Sequence, residues 1–126
     1  MKSAIELHDS MCLAIELGSR GNGTVILDAY VHRTEGEPGI SAGDGGLQRV
    51  RISLEMMAIA GEVGSLPTLI YEGSLALDNT NLNNLVPLPL QIGGSATLSL
   101  MLADDARLIS VSGRNVSVEP EGDFAL

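Results

Sequence analysis

Apolar and polar residues alternate along much of this chain with a period of two, the repeat of a half-buried β-strand. Ile5 to Leu7 begins the pattern and His8-Asp9-Ser10 interrupts it. From Met11 to Leu17 the alternation puts Met11, Leu13, Ile15 and Leu17 on one face and Cys12, Ala14 and Glu16 on the other. Gly18 to Gly23 reads as a turn, because its three glycines and Asn22 tolerate positive φ. Thr24 to His32 is the return strand, with Val25, Leu27, Ala29 and Val31 facing one way. These two segments predict a hairpin.

Arg33 to Gly46 follows as a long polar loop with five glycines and Pro38. Loops of this length within compact domains are usually functional or disordered. Gln48 to Gly61 fits both a strand, through Val50, Ile52, Leu54 and Met56, and a helical face, through Val50, Leu54, Met57 and Ala58. Its glycine-rich flanks and lack of a capping residue favour a strand, with a bulge at the doubled Met56-Met57. Gly64 to Pro67 breaks this strand, Thr68 to Glu72 suggests a single helical or 3₁₀ turn, and Ser74 to Leu77 a short strand.

Asp78 to Asn84 is an oxygen-rich loop. In Leu85 to Leu90, Pro87 and Pro89 remove two N–H donors from the same side of the ladder, which predicts a sheet edge. Ala96 to Leu102 alternates cleanly, and Asp104-Asp105 predicts a turn. Leu108 to Val111 and Val116 to Val118 are strands whose parity changes across Gly113-Arg114-Asn115, as at a bulge, and Glu119 to Leu126 reads as a frayed acidic tail. The sum is one all-β domain over residues 1–126: an antiparallel β-sandwich or a partly open barrel of seven to eight short strands.

Composition narrows the functions such a domain can have. Sixteen acids against seven bases give a formal charge of −9, and no basic cluster exists. That disfavours nucleic acid and anionic membrane surfaces. Tyr30, Tyr71 and Phe124 are the only aromatic residues, too few for a base- or sugar-stacking platform. With 44% apolar and only 18% charged residues, some apolar surface is expected to be covered by a protein partner or a second copy, as in a homodimer. Cys12 is alone, lies in an apolar run and reads as a partly buried structural thiol. No signal peptide precedes the pattern and no run is long enough to span a membrane, so a cytoplasmic location is expected.

Candidate chemistry centres on two stretches. His8-Asp9-Ser10 carries the residue types of a hydrolase triad, but neighbours on a strand face opposite ways and cannot form a relay. A local turn, with His8 bonded to a loop, is the simpler reading. The second stretch runs from Tyr30 through His32, Arg33, Glu35 and Glu37. Imidazole with carboxylates suits a divalent transition metal, and the hairpin would let His8 join His32 and Glu35 as ligands. Asp78 and its asparagines lack the glycine and glutamate of a calcium loop, so Asx-turns are expected there. Gly43-Asp44-Gly45-Gly46 lacks the lysine of a phosphate loop.

Leu7-His8-Asp9-Ser10, Tyr30-Val31-His32-Arg33, Glu35-Gly36-Glu37-Pro38-Gly39, Gly73-Ser74-Leu75 and Val86-Pro87-Leu88-Pro89-Leu90 together resemble a group of small uncharacterised bacterial β-rich proteins. The Leu-His-Asp-Ser element also resembles that of immunity-type proteins from bacterial toxin systems. Two functions are therefore expected to compete. One is a non-enzymatic, cofactor-free domain that binds a protein or itself through the Tyr30 to Gly46 loop and the proline-containing edge, with His8, Asp9, Tyr30, His32, Arg33, Glu35 and Glu37 as contact candidates. The other is a metal-dependent or small-ligand enzyme built on His8, His32, Glu35 and Glu37.

Overall fold

The computed structural model describes residues 1–103 and 107–126, and the turn expected at Asp104-Asp105 lies outside them. The chain is all-β, as the alternation predicts. Its strands are β1 (Lys2–Leu17), β2 (Gly23–Thr34), β3 (Asp44–Ala60), β4 (Thr68–Leu77), β5 (Asn81–Asn83), β6 (Leu85–Pro87), β7 (Leu90–Leu102) and β8 (Arg107–Pro120). Six of them close an antiparallel barrel in the order β4-β7-β8-β3-β2-β1, with β1 returning to β4. The barrel interior takes one residue in two from each wall strand. Leu27, Ile52, Leu75, Leu100 and Val111 are all fully buried in a single aliphatic cluster.

The β1–β2 hairpin forms where the alternation places it, and Arg20 (φ 63°) with Gly21 (φ 79°) turns the chain. On β2, Val25, Leu27, Ala29 and Val31 face inward as expected. On β1 the face that turns inward near the middle is that of Cys12, which is fully buried, while Met11 and Leu13 are half-buried and Leu17 is exposed. Gln48 to Ala60 is strand, and Met56 (φ 53°) sits at a register shift that turns Met57 inward. Asn115 (φ 56°) makes the parity change on β8.

Four expectations fail. The loop expected over Arg33 to Gly46 is shorter, because Arg33 pairs with Asp44 and the strands β2 and β3 run into it from both sides. The loop expected over Asp78 to Asn84 contains β5, which pairs with β4. Thr68 to Glu72 is extended, because Thr68 and Leu69 pair with Cys12 and Met11 to close the barrel. The acidic tail is docked rather than frayed: Leu47 and Ala125 exchange two 2.8 Å backbone bonds, and Phe124 packs on the core. The Arg51 guanidinium holds Glu121 through two bonds of 3.1 and 2.8 Å. That charge-assisted pair lowers the Glu121 carboxyl below its ordinary range.

The closing contact between β1 and β4 is only two residue pairs long. Beyond it the wall divides. β5 pairs with β4, β6 pairs with β1, and the chain bends back between them at Asn84. β6 lies at the sheet edge that the prolines predict.

Candidate functional site

The fork at Asn84 and a large bulge in β1 build one face of the barrel. Opposite Ala29 alone, β1 places four residues, Leu7 to Ser10. Leu7 and Ser10 point inward, while His8 and Asp9 project outward, Asp9 at φ 81°. Bulges characteristically re-aim side chains in this way. Ser10 fastens the bulge: its hydroxyl donates to the Glu6 carbonyl at 2.6 Å and accepts from the Tyr30 N–H at 2.9 Å. The Leu-His-Asp-Ser element is thus a stapled bulge, and its serine and histidine point to opposite sides of the wall. His8 bonds a strand carbonyl, that of Tyr71 on β4, rather than a loop.

Asn84 holds the two halves of the fork together. Its N–H donates to the Gly73 carbonyl on β4 at 3.0 Å, and its own carbonyl accepts from the Leu7 N–H on β1 at 2.8 Å. Its side-chain oxygen accepts from the His8 N–H at 2.7 Å, and its amide nitrogen reaches Glu6 Oε1 at 3.5 Å. To make all four contacts the residue adopts φ 66°, a left-handed conformation that asparagine tolerates better than most residues. Gly73 lets the strands approach, since a Cβ there would lie 2.9 Å from Leu7.

Beside this fork lies an open groove of about 580 Å³ whose lining includes His8, Tyr71, Glu72, Asn84, Met101 and Leu108. His8 Nδ1 is 2.7 Å from the Tyr71 carbonyl, and its ring meets the Tyr71 ring edge-on at 6.3 Å. Nε2 lies 3.5 Å from Asp9. The Tyr71 carbonyl, and then the Asp9 carboxylate, raise the His8 pKa above its ordinary value. Along the wall, Leu108 stands opposite Met101 and Met11 opposite Leu69. Tyr71, two residues from Leu69 on the same strand face, sits at a register shift where Glu72 stands opposite Met101. It lines the groove with Met101 and Leu108, so these apolar side chains form an outward row with Glu72 at its edge. Leu69, Tyr71 and Leu108 are 45%, 56% and 59% exposed.

The second candidate stretch forms a separate cluster. Tyr30 and His32 lie on the outer face of β2 with ring centroids 5.1 Å apart. His32 Nε2 is buried and 3.4 Å from Glu6 Oε2, without hydrogen-bond geometry. Tyr30 lies across Gly45, whose missing side chain leaves room for the phenol. The loop beyond is bonded to itself: Thr34 donates to the Ala42 carbonyl at 2.7 Å, and the Glu37 N–H donates to Ser41 Oγ at 2.9 Å.

The ligand set expected for a metal does not assemble. His8 is held by Tyr71, and His32 faces Glu6. Glu35 lies 3.6 Å from the Met1 amino group, and Glu37 is 3.4 Å from Lys2. Arg33 stacks 4.5 Å over the Phe124 ring. Among the described residues no group of three or more His, Cys, Asp or Glu is placed to hold a metal ion. Asp78 accepts from the Ser95 N–H at 3.2 Å, a structural use of the carboxylate. Cys12 is fully buried, beyond the partial burial expected, and burial pushes its pKa up to about 11. Among the described residues no helix is long and apolar enough to cross a membrane.

Sequence reasoning missed Tyr71, Asn84, Met101 and Leu108. They are scattered over nearly forty positions of the chain. Only strand pairing brings them together. No known family model matches the chain, nor does any curated protein or solved structure.

Proposed function

We propose that this chain is a non-enzymatic, cytoplasmic protein-binding β-barrel whose contact surface is the face around Tyr71. The observation that carries this reading is the apolar row Leu108-Met101-Tyr71-Leu69-Met11, which crosses four strands on the outside of the wall. The barrel interior is filled by its own aliphatic side chains, so this row serves no purpose in the core. Exposed aromatic and leucine side chains grouped beside a groove mark a surface that another protein covers. An immunity-like version, in which an acidic barrel covers a basic surface, agrees with the charge of −9.

A dodecapeptide display library panned against the intact domain tests this. Enriched peptides should bind the wild type and lose binding to the double variant Leu69→Glu, Leu108→Glu. Enrichment indifferent to that variant overturns the reading. Size-exclusion chromatography with light scattering, run on both proteins, separates a second copy from a different partner.

A further inference from the structure

The groove is lined by an acid as well as by the apolar side chains of Tyr71, Met101 and Leu108. Glu72 lines it, and Asp9 projects from the β1 bulge beside His8. A third carboxylate, Glu6, is engaged by Asn84 and His32. Asp9 faces His8 at 3.5 Å and so has a cationic neighbour only while that imidazole is protonated, and among the described residues no lysine or arginine pairs with Asp9 or Glu72. The guanidinium of Arg107, next in sequence to the groove-lining Leu108, donates to the carbonyls of Glu62 and Val63.

A partner seated on the apolar row strips water from these two carboxylates. Covering a carboxylate without compensation is costly, and the compensating group is a cation. Tyr71, more than half exposed, precedes Glu72 on β4, and its edge meets the His8 ring that lies beside Asp9. An aromatic face flanked by acids attracts a cation both through its quadrupole and through the field of the carboxylates.

We infer that the groove takes an extended apolar segment of a protein partner carrying one arginine or lysine, whose cation lies over the Tyr71 ring between Asp9 and Glu72. This rests on the protein-binding reading above and adds the chemistry of what is bound. The planar guanidinium, which stacks on aromatic rings and pairs with carboxylates in the same pose, fits better than an ammonium.

The probes are four acetylated, amidated nonapeptides of alternating valine and serine, differing only in a central arginine, lysine, citrulline or glutamate. Binding is read from amide chemical shifts of the full-length protein at His8, Tyr71 and Met101. The arginine peptide should bind at these positions, and the neutral citrulline isostere should bind at least about tenfold more weakly. Asp9→Asn with Glu72→Gln should bring the arginine peptide down to the citrulline level, and added salt should weaken only the cationic peptides. Arginine and citrulline peptides binding equally would overturn the cation inference and leave apolar docking in place. Binding unaffected by Leu69→Glu with Leu108→Glu would overturn both. If none of the four peptides shifts these amides at millimolar concentration, the inference falls, while the library-selected peptides still decide the broader reading.

Discussion

Replacing Asn84 separates the two demands that the fork makes on one residue. Asn84→Ala removes the 2.7 Å bond from the His8 N–H and the longer contact with Glu6. The shorter bond contributes about 1 kcal/mol net, and the 3.5 Å contact less. Alanine must also hold φ 66°, which costs about 1 kcal/mol more than asparagine in that conformation. The total is a loss of about 2–3 kcal/mol. Asn84→Gly loses the same side-chain bonds but adopts the left-handed backbone freely, offset by glycine's greater unfolded-state entropy, so its loss is about 1–2 kcal/mol. Urea unfolding followed by circular dichroism reads both, and the alanine variant's midpoint should fall by about 1–2 M. Amide exchange at Leu7, His8 and Asn84 should rise in both variants before global unfolding. An alanine variant as stable as the glycine variant, or either within about 0.5 kcal/mol of wild type, would refute the clamp reasoning.

Cys12 should resist a thiol reagent in the native state and react on denaturation, because burial holds its pKa near 11; rapid native labelling would contradict its placement. Gly73→Ala drives a methyl to within 2.9 Å of Leu7 and 3.2 Å of Leu100, and should cost about 1–3 kcal/mol in a thermal or urea melt. The Glu121 carboxyl is lowered by Arg51, so that pair's contribution to the tail's attachment is fully present above the unfolded glutamate pKa of about 4.3 and is lost as pH falls through the lower folded value. The Ala125 amide should therefore lose protection on acidification, and Glu121→Gln should remove that pH dependence. His8 should titrate above 6.5 by NMR, and Asp9→Asn should bring it down only partly, since the Tyr71 carbonyl is the larger cause. The stability this contributes is present below the unfolded histidine pKa and is lost as pH rises through the folded one.

Local patterns in the sequence carry local structure well. The β2 face, the Met56-Met57 bulge, the parity change near Asn115 and the proline edge all follow from residue type and period. Readings failed where a distant partner decides the outcome. Thr68 to Glu72 looks like a turn beside Pro67, and only pairing with Met11 and Cys12 makes it a strand. The tail looks frayed because its anchors, Leu47 and Arg51, are some seventy residues away. On β1 both faces carry apolar residues, so alternation could not say which one turned inward. For the site, His8 and Asp9 were legible as an interruption, but their bulge faces the groove on the β4 side while His32 faces Glu6. An apolar row running across strands leaves no periodic trace along any one of them.

The two-pair seam between β1 and β4 also bears on how the chain is made. During synthesis β1, β2 and β3 emerge first and pair as a meander. The outer edge of β1 then waits for Leu69 and Val86, and that of β3 waits for β8. From Ala60 to Pro120 is about 60 residues, or about 3–12 s at ~5–20 residues per second. Throughout that interval the nascent meander carries two bare, aliphatic edges of the kind that pair with other chains. Ribosome-bound chains stalled after Ala60 should therefore self-associate or recruit chaperones, and chains extended past Pro120 should not. Closure, which leaves the finished wall with little free edge, is the last protection this protein acquires.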